Sequence, residues 1–281
     1  MTKPSDDLKK ENKIVVTIDV CSSSDILEDL LKTNNIKQWR DLLIWFKEYL
    51  VKESNKFKYD LYKFTGDGWI LLFSPPYEIS NIISFLSTIS KNFEKEFRSK
   101  IYCNLDSPPD ITGLTFGIDE GTLVKLIMKD EMEYIGRAIN VACRLQGVIN
   151  DIDIKSGYRA FISHRLYNSH KGKLEQYSPD PTKRKLRNIA GGRQFHCYRL
   201  SISESQFRII RAVYGTKDNK IDVTTELISE IKDNRLDVTI SNFLFQGDPD
   251  PGVKKIFELE YIYKGEKLKK TVKEYARFQL P

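Results

Sequence analysis

Asp19 closes an apolar, β-branched run, Lys13-Ile14-Val15-Val16-Thr17-Ile18-Asp19-Val20, and Asp67 stands between glycines in Thr65-Gly66-Asp67-Gly68. In an antiparallel sheet the end of a strand and the tip of a hairpin can be neighbours. Two carboxylates meeting there would hold two divalent cations, Mg2+ or Mn2+, about 3.5–4 Å apart, clamping the attacking and leaving oxygens of a phosphoryl transfer. The plainer alternative is that each aspartate serves its own turn or helix start. Asn140 and Arg144 are four residues apart, so they share one face of a helix otherwise rich in Ala, Val, Ile and Leu. An amide and a guanidinium on one face suit the orientation of a hydroxyl and the stabilisation of developing negative charge. A solvent-facing pair is the alternative.

The elements that must position these groups follow from periodicity. The run 13–20 predicts a buried strand, and Ser22, Ser23, Ser24 and Asp25, with Glu28 three residues on, are helix-start signals ahead of Ile26–Leu31. Apolar spacing predicts helices over Ile36–Val51, Ile79–Phe97 and Gly136–Ile149. A hairpin is expected from Phe57–Phe64 and Trp69–Phe73 around the Gly-Asp-Gly tip, and a second from Thr112–Ile118 and Thr122–Met128 around Asp119-Glu120-Gly121. Short strands, a small helix and loops fill Arg159–Leu200. Hairpins outnumber βαβ crossovers, which predicts an α+β fold with a mainly antiparallel sheet flanked by helices. The text changes near Ser201–Gln206. Residues 1–204 read as one domain and 205–281 as a small β-rich domain, with a short helix near 224–232, strands near 236–240 and 256–263, and the loop Gln246-Gly247-Asp248-Pro249-Asp250-Pro251-Gly252.

Composition sets outer limits. The 281 residues are 40% hydrophobic and 30% charged, as in a folded chain, and no apolar run approaches the roughly 18–20 residues of a membrane span. The start is polar and lacks a signal-peptide core, so the expected location is the cytoplasm, with no membrane partner. The four cysteines form no CxxC pair, and His164, His170 and His196 are not spaced as metal ligands. A net charge of +6 favours a polyanionic substrate without predicting stable nucleic-acid binding. The basic run Lys183-Arg184-Lys185-Leu186-Arg187 lacks interleaved aromatics and reads as a solvated face with one phosphate contact.

Five segments resemble the catalytic domain of class III adenylyl and guanylyl cyclases, in order and spacing, over about residues 13–200. They are Thr17-Ile18-Asp19-Val20; Lys63-Phe64-Thr65-Gly66-Asp67-Gly68; Phe116-Gly117-Ile118 with Gly121; Gly136, Asn140 and Arg144; and Leu186-Arg187-Asn188-Ile189-Ala190-Gly191. The resemblance implies a ferredoxin-like cyclase domain that converts a nucleoside triphosphate to a 3′,5′-cyclic monophosphate and pyrophosphate. It further implies that Asp19 and Asp67, helped by the Val20 carbonyl, hold two divalent cations, Mn2+ or Mg2+. Amides around Ser22, Ser23 and Ser24 would take phosphate oxygens, Asn140 would orient the ribose, and Arg144 would stabilise the α-phosphoryl charge. Arg187 falls where the family usually has a phosphate-binding lysine. In the family these groups come from two subunits, so a homodimer with composite active sites is expected. The Gly-Gly-Asp/Glu-Glu-Phe turn of diguanylate cyclases is absent.

Lys63 and Glu133 occupy the base-reading positions of adenine-selective relatives, with Glu in place of Asp. Donors from Lys and an acceptor from Glu suit adenine, uracil or cytosine, so the pair alone does not choose; a surface salt bridge is the plainer alternative. If residues 59–65 are extended, Tyr59 projects on the side of Lys63 and narrows the pocket toward a pyrimidine, unless it is a core residue. Val213-Tyr214-Gly215, Asp222-Val223-Thr224, Leu236–Asn242 and the loop Gly247-Asp248-Pro249-Asp250-Pro251-Gly252 resemble the sensor-type domain behind bacterial anti-phage pyrimidine cyclases, which implies UTP, then CTP, as substrate and a product read by a separate effector protein. Adenylate cyclase is the second reading, and a catalytically dead nucleotide-sensing scaffold the third.

Overall fold

The β-branched opening run recruits the polar residues before it into one long strand, β1 (Lys9–Val20). In this computed structural model residues 8–129, 131–202, 207–231, 235–263 and 266–280 are described. After β1 come α1 (Ser23–Lys32), α2 (Ile36–Phe57), the hairpin β2 (Tyr59–Phe64) and β3 (Gly68–Phe73), and α3 (Ile79–Lys100). The chain continues through β4 (Leu114–Met128), β5 (Glu131–Ile135), α4 (Arg137–Gln146), α5 (Asp151–Lys155), β6 (Ala160–Ser163), α6 (His164–Leu174), β7 (Asp180–Lys185) and β8 (Gln194–Leu200). Apart from α5, these elements form one unit, 8–149 with 159–202; α5 belongs to the second unit, which holds 150–158 together with the described residues from 207 on.

The first unit is a mixed α+β layer structure. Its sheet runs β2-β3-β1-β4-β6-β8-β7, with β5 paired to β4. Every pairing is antiparallel except β4 with β6. Strand alternation sorts side chains onto two faces. Ile18, Val20, Trp69, Leu71 and Phe73 pack under α1, α2 and α3 with Leu42, Phe46, Phe85 and Phe93. Val15, Ile70 and Leu72 face the other way, against Ala138 and Ala142 of α4.

The expected turn at Asp119-Glu120-Gly121 does not form. β4 runs straight through it because β1 offers a continuous partner: Val15 pairs with Asp119, Ile14 with Glu120 and Lys13 with Gly121. Asp119 is a buried acceptor instead, taking hydrogen bonds from Ser163 Oγ (2.5 Å) and Arg165 Nη2 (3.0 Å). The hairpin forms one strand later, between β4 and β5.

The second unit adds β9 (Phe207–Gly215), β10 (Lys220–Asp222), α7 (Thr224–Ser229), β11 (Leu236–Thr239), β12 (Ile256–Tyr263), β13 (Glu266–Lys273) and β14 (Arg277–Leu280). It has a four-stranded sheet β10-β9-β12-β13 and the pair β11-β14 around Tyr214, Phe245, Phe257 and Phe278. The loop 246–252 is tied down by Asp248, which contacts the buried ammonium of Lys255 at 2.6 Å.

Helix α4 sits unusually close to the sheet, and Gly117 is the reason. A Cβ there would lie 2.0 Å from the Ala142 carbonyl oxygen and 2.5 Å from the Gln146 nitrogen. Thr17 Oγ1 reaches the same Ala142 carbonyl at 3.1 Å. Gly117→Ala should therefore lift α4 and cost at least about 2 kcal/mol, read as a lower urea midpoint. An unchanged midpoint would show that α4 is not held at this distance.

Candidate active site

Register brings the two aspartates together. Asp19 at the end of β1 pairs with Gly68 of β3, the residue after Asp67. The hairpin can close onto the strand because Gly68 has no side chain; a Cβ there would lie 2.4 Å from the Ile18 carbonyl and 3.5 Å from Asp19 Oδ1. Gly66, at φ 99°, makes the turn. Burial, and then the charge of Asp67, push the Asp19 carboxyl up to about 6, against a hydrogen bond from Gln146. Ser23 Oγ donates to Asp67 Oδ2.

Two half-buried carboxylates that repel each other are a fitting donor set for a divalent cation. Val20 buries its side chain in the core, which leaves its backbone carbonyl as the one donor it can offer. Among the described residues no cluster of three or more His, Cys, Asp or Glu forms a closed metal cage. Two carboxylates are a donor set of the kind that Mg2+ takes, acting with water and substrate phosphates.

The serines follow directly. Ser22 precedes α1 at φ 55°, and its Oγ donates to the Ile111 carbonyl (2.9 Å) instead of capping the helix as the sequence suggested. The first helical bond runs from Ile26 N–H to the Ser22 carbonyl. The amides of Ser23, Ser24 and Asp25 thus precede any intrahelical partner, at a helix end that favours anions.

Asn140 and Arg144 lie on the exposed side of α4, and neither makes a side-chain hydrogen bond among the described residues. Gln146, on the opposite side of the helix, turns inward and donates to Thr115 Oγ1 (3.3 Å). Arg187 is exposed in the turn after β7, at the far edge of the sheet from the Asp67 hairpin. The chain therefore brings Asp19, Asp67 and the serines together and leaves Asn140, Arg144 and Arg187 outside that cluster.

Lys63 and Glu133 meet at 2.8 Å. Tyr62, absent from the sequence reading, completes the group: its hydroxyl donates to Glu133 and accepts from the Tyr134 amide (3.0 Å). The hydrogen bonds from Lys63 and then Tyr62 hold the Glu133 carboxyl below its ordinary range. Tyr59 is not part of this group. A β-bulge between Leu61 and Lys63 inserts Tyr62 into the alternation, so Tyr59 pairs with Phe73 on the helical face while Lys63 pairs with Ile70 on the α4 face. Tyr59 is buried against Phe73 and Phe85, and its hydroxyl donates to the Leu50 carbonyl. An irregularity of one residue is enough to reverse which face a side chain occupies.

A cavity of about 370 Å³ opens between α2 and the hairpin, lined by Trp39, Leu43, Phe64 and Trp69 among others. It belongs to the helical face and is separate from the carboxylates.

No protein-family model matches the chain, and no curated protein matches it. Solved structures do. The adenylyl cyclase CyaB from P. aeruginosa is 18% identical over 68% of this chain and 94% of that one, with a TM-score of 0.52. The guanylyl cyclase Cya2 is 14% identical over 69% and 93%, also at 0.52. A bacterial light-regulated adenylyl cyclase is 15% identical over 72% of this chain and 55% of its own, at 0.52. The fold is that of a class III nucleotidyl cyclase domain. In this cyclase fold the carboxylate pair lies at the end of the long β1 strand. No helix among the described residues is long and apolar enough to cross a membrane.

Ionising Asp19 inside the metal-free fold at pH 7 costs on the order of 1–2 kcal/mol after allowance for its partial exposure. Its folded value is raised, so this stability is present below about pH 4 and lost as pH rises toward 6. Asp19→Asn should melt higher than the parent at pH 7 without metal, and equally at pH 4. Mn2+ should raise the parent's melting temperature and leave the variant's unchanged. A variant that melts lower at pH 7 would contradict the repulsion.

Proposed function

We propose that this chain is a metal-dependent nucleotidyl cyclase. It would join the ribose 3′-hydroxyl of a nucleoside triphosphate to its own α-phosphorus and release pyrophosphate. One observation carries the reading: Asp19 and Asp67, 48 positions apart in the chain, stand side by side in a cyclase fold, where burial and the Asp67 charge raise the Asp19 carboxyl. Bound there, two divalent cations would activate the 3′-hydroxyl and neutralise the phosphates. The serine amides would seat phosphate oxygens, Arg187 would add a phosphate contact, Asn140 would fix the ribose, and Arg144 would meet the charge that develops on the α-phosphoryl oxygens.

The exposure of Asn140 and Arg144, and the distance of Arg187 across the sheet, support a homodimer in which each pocket takes the carboxylates from one subunit and these groups from the other. The base-reading group would be Lys63 and Glu133. With Tyr59 in the core, Tyr62 is the aromatic beside them, its ring 5.4 Å from the Lys63 ammonium. A ring there leaves room for a one-ring base, which supports UTP, then CTP, together with the resemblance of 205–281 to defence-system sensor domains. The cyclic product would then be an anti-phage signal made in the cytoplasm and read by a separate effector. The direct Lys63–Glu133 contact supports adenylate cyclase as the second reading, since adenine satisfies both groups.

Incubation with an equimolar mixture of the four nucleoside triphosphates and Mn2+, followed by mass spectrometry, should give cyclic UMP as the main product. Cyclic AMP as the main product would favour the second reading, and no cyclic product from any base would remove the enzyme reading. Arg144→Ala should lose about 10²–10³ in kcat. Mixing it with Asp67→Asn should restore roughly a quarter of parental activity through heterodimers with one intact pocket; no restoration would contradict the composite site.

A further inference from the structure

The site described so far draws no cation from the subunit that supplies the carboxylates, yet one stands beside it. Asp19 pairs with Thr115 across β1 and β4, and the Phe116 amide donates to the Arg159 carbonyl (2.8 Å) where β6 begins its parallel pairing with β4. Asp19, Thr115 and Arg159 therefore form one row across three neighbouring strands. The guanidinium folds onto the segment that carries the serine turn: Nη1 donates to the Thr112 carbonyl (2.9 Å) and lies 3.8 Å from Cys21 Sγ. The same segment receives the Cys21 amide at the Gly113 carbonyl (2.9 Å) and Ser22 Oγ at the Ile111 carbonyl.

Every hydrogen bond of this guanidinium leaves from Nη1. Nε and Nη2 have no acceptor, and the cation has no carboxylate partner, among the described residues. A half-buried guanidinium with its planar fork unspent, against Cys21 where the chain leaves β1 for α1, is suited to a phosphate group.

We propose that Arg159 binds polyphosphate in the half-site that holds Asp19 and Asp67, contacting the non-reacting phosphates of the nucleotide and then the released pyrophosphate. This rests on the cyclase reading for the identity of the ligand. The test is calorimetric titration of the full chain with pyrophosphate in excess Mg2+, alongside Mn2+ binding alone. Arg159→Ala should weaken pyrophosphate binding about tenfold to a hundredfold with Mn2+ affinity within twofold of the parent. Arg159→Gln, which can still donate to the Thr112 carbonyl, should stay weak, and Arg159→Lys should be intermediate; these two carry the test if the alanine variant does not fold. Pyrophosphate affinity restored by Gln, or lost only in step with Mn2+ affinity, would reduce Arg159 to an anchor of the 111–114 segment and overturn the proposal. If Asp67→Asn abolishes pyrophosphate binding while Arg159 variants do not alter it, the Arg159 assignment alone fails. If neither alters it, or the parent does not bind it, the half-site fails as well.

Discussion

Two negative charges held close together in a half-buried place are the constraint around which the first unit is organised. Among the described residues no Lys or Arg forms a salt bridge with either carboxylate. The surroundings instead limit the damage: Gln146 hydrogen-bonds to Asp19, Ser23 donates to Asp67, and burial shifts Asp19 toward its neutral form. A fold that optimised its own stability would replace one carboxylate by an amide. Retaining both is intelligible where a cation completes the site, because the strain then becomes binding affinity.

The rest of the sheet follows from holding that pair in place. Gly68 lets the hairpin press onto the end of β1, and Gly117 lets α4 press onto the first part of β4. The α4 contact brings Gln146 inward to Thr115 and leaves Asn140 and Arg144 outward. One helix thus serves the carboxylates with one side and exposes an amide and a guanidinium on the other. The two faces of the sheet divide the work similarly. The α1–α3 face holds most of the large aromatic core, and the α4 face carries the polar groups that border the chemistry.

Much of this was legible in the sequence, where local pattern and tertiary demand agree. The Gly-Asp-Gly hairpin, the strand into Asp19 and the amphipathic helices α2 and α3 each bury a face that their periodicity announces. The failures have identifiable causes. Asp119-Glu120-Gly121 carries turn chemistry, but a twelve-residue partner strand overrode it. Tyr59 and Lys63 share parity in an unbroken strand, and a bulge at Tyr62, for which the residues give no local signal, separated them. β13, Glu266–Lys273, is not among the expected strands: its four lysines leave only Leu268 and Val272 as an apolar signal, and the strand forms because β12 pairs with it. Arg159 escaped notice for a different reason. Its place against Cys21 depends on the parallel β4–β6 pairing, a contact between residues 44 positions apart in the chain (116 and 160) that no periodicity records.

The account stands or falls on whether Asp19 and Asp67 hold paired cations. Electron paramagnetic resonance of the protein with Mn2+ and a 3′-deoxynucleoside triphosphate, which cannot cyclise, reports this directly. The account predicts a spin-coupled pair of Mn2+ ions about 3.5–4 Å apart, lost in both Asp19→Asn and Asp67→Asn. An isolated Mn2+ signal in the parent protein, or a coupled signal that survives either substitution, would contradict it.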